Sequence, residues 1–374
     1  MSSLKPVIFS FFSGSGFLDL GFENSGFDVA FVNEYHPPFM DAYKYSRALM
    51  RKPIPRFGYA EKSIEDIDIE YLKSAIIQLK KENKLVGFIG GPPCPDFSVA
   101  GKNKGQDGEN GKLSQDYIDT IVDLKPDFFL FENVKGLYRT VKHRKFFEYL
   151  KKQLLNVGYD LHEKLINSIE YGAPQDRERI ILLGFLSNKL SGEFEWSGRK
   201  YPDKVAFKYD WPTHDSFSPD SFKSKPDSVP EELTVEYWFK KNDVLNHDNA
   251  NHMFTPRAGL TRFLAVAEGD DSKKSYKRLH RWRYSPTAAY GNNEVHLHPY
   301  KARRISVAEA LAIQSMPKEF QLPGYMTLSN MFKTVGNGVP YLAALGIAES
   351  ILNHLEIKNE SNSNESCESN SEPA

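Results

Sequence analysis

The chain carries an apolar run at residues 7–12, broken only by Ser10, that ends just before Gly14. A run with no polar alternation suits a strand buried on both faces. Comparable runs lie at 29–32, 85–89, 127–131 and 180–185. Between them, 18–25, 71–83, 114–124 and 146–157 read as helices. Strands alternating with helices at this spacing predict an α/β fold, with a mostly parallel sheet covered on both faces. From about residue 190 to 300 the periodicity weakens and Pro, Asp, Ser, His and Trp become frequent, which predicts a second, irregular domain. Ser306, with Glu309 three residues later, forms a capping box that starts a helix over 306–315. Residues 340–355 read as a final helix rich in Ala, Leu and Ile, and 358–374, mostly Ser, Asn and Glu, are expected to be disordered.

Composition narrows the class. The chain has 374 residues, room for more than one domain, and its 40% apolar and 26% charged content is ordinary for a globular protein. No stretch approaches eighteen uninterrupted apolar residues, so no membrane span is expected. The early apolar run lacks a cleavage-site pattern, so it is read as a strand and the chain as cytoplasmic. Two cysteines, Cys94 and Cys367, are too few for a disulfide framework or a four-cysteine zinc site, and no metal site is expected. Cys367 sits in the polar tail, which leaves Cys94 to be explained. Net charge is −1, yet 272–304 holds nine Lys/Arg against Glu294 alone, interleaved with Tyr276, Trp282, Tyr284 and Tyr290. Such a stripe is either a solvated face or a surface that grips phosphates.

Five segments carry candidate chemistry. Phe12-Ser13-Gly14-Ser15-Gly16, between a strand and a helix, lets a ligand approach the backbone. It is not a three-glycine dinucleotide loop, because Asp19 stands at the third position, and a tight structural turn accounts for it equally well. Glu34, eighteen residues after Gly16 at the end of the second strand, suits a carboxylate that accepts from ribose hydroxyls, and Tyr35 can stack on an adenine. In Gly90-Gly91-Pro92-Pro93-Cys94-Pro95 a cysteine is held in a stiff loop at a strand's carboxyl end, a poor core site and a good one for a nucleophile. Glu132 follows the next strand, and Arg177 and Arg179 alternate onto one face before the last.

Taken in order, FSGSG at 12–16, NEY at 33–35, GGPPCPDFS at 90–98, ENVKG at 132–136, QDRER at 175–179, RRISVAEALAIQSMP at 303–317 and VGNGVP at 335–340 resemble the cytosine-5 DNA methyltransferases of bacterial restriction-modification systems. The resemblance spans roughly 7–350, apart from the variable middle. It implies a Rossmann-like S-adenosylmethionine-dependent methyltransferase fold plus a smaller target-recognition domain. The implied boundaries are 1–188 for the catalytic and cofactor-binding domain, 189–325 for target recognition and hinge, 326–357 for the return to the catalytic domain, and 358–374 for the tail.

The resemblance implies roles by position. Cys94 matches the nucleophile that adds to carbon-6 of a flipped cytosine. Glu132 matches the acid at the ring nitrogen and exocyclic amine, and Arg179 a contact to the base carbonyl that Arg177 supports. Phe12, Ser13, Gly14 and Gly16 match the cofactor loop; Glu34 and Tyr35 match the ribose and adenine contacts. Pro92, Leu113, Asn337 and Val339 match further cofactor positions. An Asp-Ile pair often holds the adenine in this family; here either Ser63-Ile64 or Asp66-Ile67 fills that place, the first by spacing. Pro95 stands where Gln commonly follows the nucleophile, and His36 where Asp is frequent.

The implied cofactor is S-adenosylmethionine. The implied partners are double-stranded DNA, gripped by the 273–304 run, and a cognate restriction endonuclease acting on the same site. No membrane partner and a monomeric state are expected. A cytosine-5 methyltransferase acting on tRNA and a non-catalytic DNA-binding protein are the rival readings. The long variable middle disfavours the first, and the joint presence of Cys94, Glu132 and Arg179 the second.

Overall fold

The computed structural model describes residues 5–93, 109–138, 140–186, 190–256, 259–273, 275–288, 290 and 295–368. Its strands are β1 (Val7–Phe11), β2 (Asp28–Asn33), β3 (Tyr59–Ala60), β4 (Val86–Gly90), β5 (Phe128–Val134), β6 (Tyr159–Asn167) and β7 (Glu178–Leu186). Its helices are α1 (Phe17–Ser25), α2 (Pro37–Leu49), α3 (Ile69–Lys81), α4 (Glu109–Leu124), α5 (Val141–Asn156), α6 (Val235–Lys241), α7 (Leu260–Leu264), α8 (Val307–Ile313), α9 (Leu328–Asn337) and α10 (Tyr341–Glu368).

The strands form one sheet in the order β3-β2-β1-β4-β5-β7-β6. Pairings from β3 through β5 are parallel, while β7 is antiparallel to both β5 and β6. Each of β1 and β4 is buried along its whole length, as a strand covered on both faces requires. One face is sealed by Leu72 and Ile76 of α3, Ile118 and Ile121 of α4, and Phe147 and Leu150 of α5. The other is sealed by Leu18 and Phe22 of α1 with Ala344, Ile347 and Ile351 of α10. The carboxyl ends of β1, β2, β4 and β5 therefore share one edge, where an open parallel sheet collects ligands.

Three departures from the sequence pattern have physical causes. β6 carries no apolar run because it is an edge strand, half-exposed along most of YDLHEKLIN. β1 stops at Phe11 because Phe12 takes a left-handed φ of 53°, which turns the chain into the glycine loop. The last helix does not end near 355 but continues to Glu368. Nothing between Ile347 and Glu368 is Pro or Gly, so the ladder meets no breaker. Among the described residues, one helical stretch, Leu328–Lys358, has the length and hydropathy of a membrane span, and 56% of its apolar window is buried inside the protein. It serves as a core element here.

The segment after β7 is irregular as anticipated, with short helices and isolated bridges such as Asp215 with Glu268. Its core is continuous with the rest: Val235 and Trp238 of α6 and Leu311 of α8 join Phe17 and Phe39 in one buried cluster.

Candidate active site

At the carboxyl edge of the sheet lies a cavity of about 1060 Å³. Of the residues singled out for the cofactor, Phe12, Ser13, Gly14, Glu34, Tyr35, Ser63, Ile64, Pro92, Leu113, Asn337 and Val339 line it. The Gly14 amide donates to Glu34 Oε2 at 2.8 Å, and the His36 amide donates to Glu34 Oε1 at 2.8 Å, so the glycine loop and the end of β2 hold each other. Burial pushes the Glu34 carboxyl above its usual range, against those two amides. Tyr35 is 70% exposed at the rim, an open ring face for stacking. Ser63 caps a single 3-10 turn, Ile64–Asp66, which brings Ser63 and buried Ile64 to the wall. Of the alternative pair only Asp66 reaches the cavity; Ile67 packs into the core instead.

Gly16 is the exception in the loop. It does not line the cavity; a Cβ there would fall 2.2 Å from Arg47 Nη1. Arg47 donates to the carbonyls of Ser15 at 3.2 Å and Gly16 at 2.6 Å, pairs with Glu23 at 3.2 Å, and lies 4.1 Å from the centre of the Tyr43 ring. Beside it, Asp19 accepts from Ser10 Oγ at 2.8 Å and Tyr43 Oη at 2.9 Å. Burial raises its carboxyl to about 6, with the Arg47 charge opposing. Asp19, whose presence ruled out a three-glycine loop, thus anchors the cofactor loop from below and contributes to the cavity wall.

The catalytic candidates meet on the antiparallel pair. Glu132 opposes Ile181 and Val134 opposes Arg179, so Glu132 and Arg179 are diagonal neighbours on one face. Arg179 Nε donates to Glu132 Oε1 at 2.9 Å, and both line the cavity. A Cβ on Gly91 would sit 2.6 Å from Glu132 Oε2, so only glycine leaves room for that carboxylate. Burial pushes the Glu132 carboxyl above its ordinary range, and the charges of Arg179 and Arg177 oppose it. Cys94 lies outside the described residues; Gly91, Pro92 and Pro93, which precede it, line the cavity.

Arg177, implied as a support for Arg179, lies behind the cavity wall. It is fully buried and absent from the cavity wall. Its guanidinium donates to the carbonyls of Ala288 at 3.2 Å, Gly336 at 2.8 Å and Asn337 at 3.3 Å. Burial drives its pKa well below that of a free guanidinium, with the Arg179 charge adding to the effect. It is a strut joining the strand that carries Arg179 to the segment that carries Asn337. Arg177→Met is expected to lower stability by about 2–4 kcal/mol, read as an earlier urea midpoint, because three buried carbonyls lose their donor. An unchanged midpoint would remove the strut.

Two arginines of the 273–304 run, Arg278 and Arg281, are internal, whereas Lys273 is exposed and Lys277, Lys301 and Arg304 are half-buried. Arg278 is buried and donates to the carbonyls of Val266, Phe263, His298 and Lys301. Buried Arg281 grips Glu268 through Nε at 2.8 Å and Nη2 at 2.9 Å. Arg303 forms a two-pronged pair with Glu309, and Arg283 pairs with Asp271 at 3.2 Å. An irregular domain lacks a sheet ladder, so its loop carbonyls need side-chain donors, and these arginines supply them.

Several wall residues carry no signal in the sequence. Lys333 of α9 lines the cavity and its charge acts on Glu34 and His36. Thr334 exchanges a 2.7 Å hydrogen bond with Ser15 Oγ, fastening α9 to the glycine loop. Lys112 and Glu65 pair beside the cavity. Among the described residues, three buried polar atoms of wall residues have no partner: Ser13 Oγ, His36 Nδ1 and Asn133 Nδ2. Unmet polar atoms in a wall that also carries apolar Phe12, Ile64 and Leu113 fit a nucleoside-like ligand, and the Glu132–Arg179 pair opens into the same cavity.

Residues 7–353 match the family model for C-5 cytosine-specific DNA methylases. A type II methyltransferase of Neisseria meningitidis serogroup C, M.NmeDI, is 62% identical over 97% of this chain and 87% of its own length. M.FnuDI of Fusobacterium nucleatum is 30% identical over 94% of this chain and 97% of its own. Among solved structures, a prophage-encoded E. coli protein described as a DNA modification methyltransferase has a TM-score of 0.66 at 23% identity, covering 94% of this chain and 100% of the other. The Dnmt2 methyltransferase of S. pombe has a TM-score of 0.60 at 13% identity, covering 95% and 100%. At these identities the two structures bear on the fold alone.

Proposed function

The chain belongs to the C-5 cytosine-specific DNA methylase family, and from that premise we propose how its cavity performs the reaction. It is a DNA (cytosine-5-)-methyltransferase that uses S-adenosylmethionine and acts on double-stranded DNA. The observation that carries the residue assignment is that the Glu132–Arg179 pair and the Gly14–Glu34 contact open into one cavity.

When bound, S-adenosylmethionine supplies an electrophilic methyl group. Glu34 would hold its ribose and Tyr35 its adenine, with Ser63, Ile64 and Leu113 around the ring and Asn337 and Val339 closing the site from α9 onward. Carbon-5 of cytosine is a weak nucleophile until a group adds to carbon-6. The Cys94 thiolate makes that bond, which splits one hard step into easier ones. Glu132 in its protonated form donates to the ring nitrogen and takes up the edge of the exocyclic amine, so electron density from the addition collects at carbon-5. Arg179 donates to the base carbonyl while holding Glu132 in place. The base leaves the duplex at a cost of a few kcal/mol, which the contacts to its polar edge offset.

The domain division follows the same reading, with 1–188 and 326–357 as the catalytic unit and 189–325 as target recognition and hinge. We further propose that the chain is a cytoplasmic monomer that serves as the modification partner of a restriction endonuclease; for the second role the support is that its relatives include type II methyltransferases. Bisulfite sequencing of plasmid DNA from a host expressing the chain tests it. Protected cytosines within one short recurring sequence are expected. Plasmid converted throughout, with protection found in tRNA instead, would overturn it.

A further inference from the structure

We propose that the first two turns of α5 form the surface that grips duplex DNA phosphates beside the target base, a role that rests on the methyltransferase reading. Residues 135–152 hold seven Lys/Arg against one acid, Glu148. Lys142, Arg144 and Lys145 are exposed, and Val141 between them and the cap is 75% exposed, while His143, Phe146 and Phe147 of the opposite face are buried. The basic face is therefore turned to solvent by the packing of the apolar one. Glu148 is engaged with Lys151 at 3.1 Å, one turn further on.

Position makes this more than a solvated face. The end of β5 supplies Glu132 and Asn133 to the cavity, and a 3-10 turn, Lys135–Tyr138, leads directly into α5. His143 Nδ1 lies 3.3 Å from the Gly136 carbonyl and the Arg144 guanidinium 4.7 Å from the Tyr138 ring centre, which fix the start of the helix to that turn. Lys135 pairs at 2.6 Å with Glu178, the neighbour of Arg179.

The helix also projects toward the substrate side. Gln115, seventh in α4, bonds Gln153, thirteenth in α5, at 3.0 Å. Both helices run back from the same sheet edge. The six-residue offset, at 1.5 Å per residue, starts α5 about 9 Å further toward that edge than α4. Its amino end adds a favourable dipole for an anion. A base seated between Glu132 and Arg179 brings its flanking phosphates to this side, whereas Arg278, Arg281 and Arg303 are committed to internal partners.

The test is fluorescence anisotropy of the full chain, as wild type and as Lys142→Ala/Arg144→Ala/Lys145→Ala, on a target and a non-target duplex between 50 and 200 mM salt, roughly the range over which phosphate contacts dominate affinity. The triple variant is expected to bind both duplexes about ten- to a hundredfold more weakly at 100 mM salt, with a log–log salt slope smaller by about two to three. Its S-adenosylmethionine affinity, read by calorimetry, is expected to stay unchanged. Unchanged DNA affinity and slope would overturn the proposal, as would a loss confined to the target duplex. Lys145→Glu alone carries the same comparison if the triple variant melts early. A wild-type chain that methylates no DNA would defeat the reaction reading, while the anisotropy comparison would still decide the surface.

Discussion

Replacing Glu132 by Gln is expected to lower kcat by about 10²- to 10⁴-fold, the range for losing a positioned general acid. Gln keeps the shape, an oxygen that accepts from Arg179 and an amide that can donate to the ring nitrogen. What it lacks is a proton to transfer. Affinity for S-adenosylmethionine should therefore stay close to wild type, because the ribose contact is assigned to Glu34. The pH profile separates this role from simple packing. Burial raises the Glu132 carboxyl, so its acid form persists to higher pH than that of a free glutamate. In the wild type kcat/KM should fall as pH rises through that raised value, on top of a rise as Cys94 ionises. The Gln variant should lose the descending limb. The linkage has a matching sign: a carboxyl raised in the folded state contributes stability below its unfolded pKa and loses it as pH rises through the folded one. That decline should vanish in the variant. A Gln enzyme with wild-type kcat and an intact descending limb would remove Glu132 from the chemistry.

Cys94→Ser is expected to abolish methyl transfer, at least about a thousandfold, with S-adenosylmethionine binding retained. A thiol near ~8.5 is a few per cent thiolate at neutral pH and intrinsically nucleophilic, whereas a serine hydroxyl would need a strong base that nothing in the described cavity supplies. Duplex DNA containing 5-fluorocytosine offers a direct readout. Fluorine at carbon-5 blocks the proton loss that releases the enzyme, so the wild type should accumulate a heat-stable, slowly migrating adduct and the serine variant none. Tritium incorporation at the wild-type rate by the variant would sink the assignment. So would the same adduct on the variant.

The α/β class was legible from buried runs such as 7–12 and 85–89, because a parallel strand hidden on both faces has no polar alternation to blur it. β6 was not legible, since an edge strand half in water reads like a loop or a helix. For the site, residue type and motif order pointed to Glu34 and Glu132, at the carboxyl ends of parallel strands, and to Arg179, at the start of the antiparallel β7. Asp19 and Thr334 escaped because their meaning lies in partners on distant segments: Asp19 in Tyr43, Thr334 in Ser15.

The sequence by itself determined the sheet, the order of the motifs and the chemistry on offer. Tertiary structure decided which of two neighbouring arginines lines the cavity and which becomes a strut. It also placed the basic side chains at the start of α5 on an exposed face. Alternation along a strand tells which side a residue takes, but not what lies across from it. Charge counted along the chain likewise says nothing about the carbonyls and carboxylates that folding brings to neutralise it, which is why Arg278 and Arg281 turned inward while Arg144 and Lys145 remained outside.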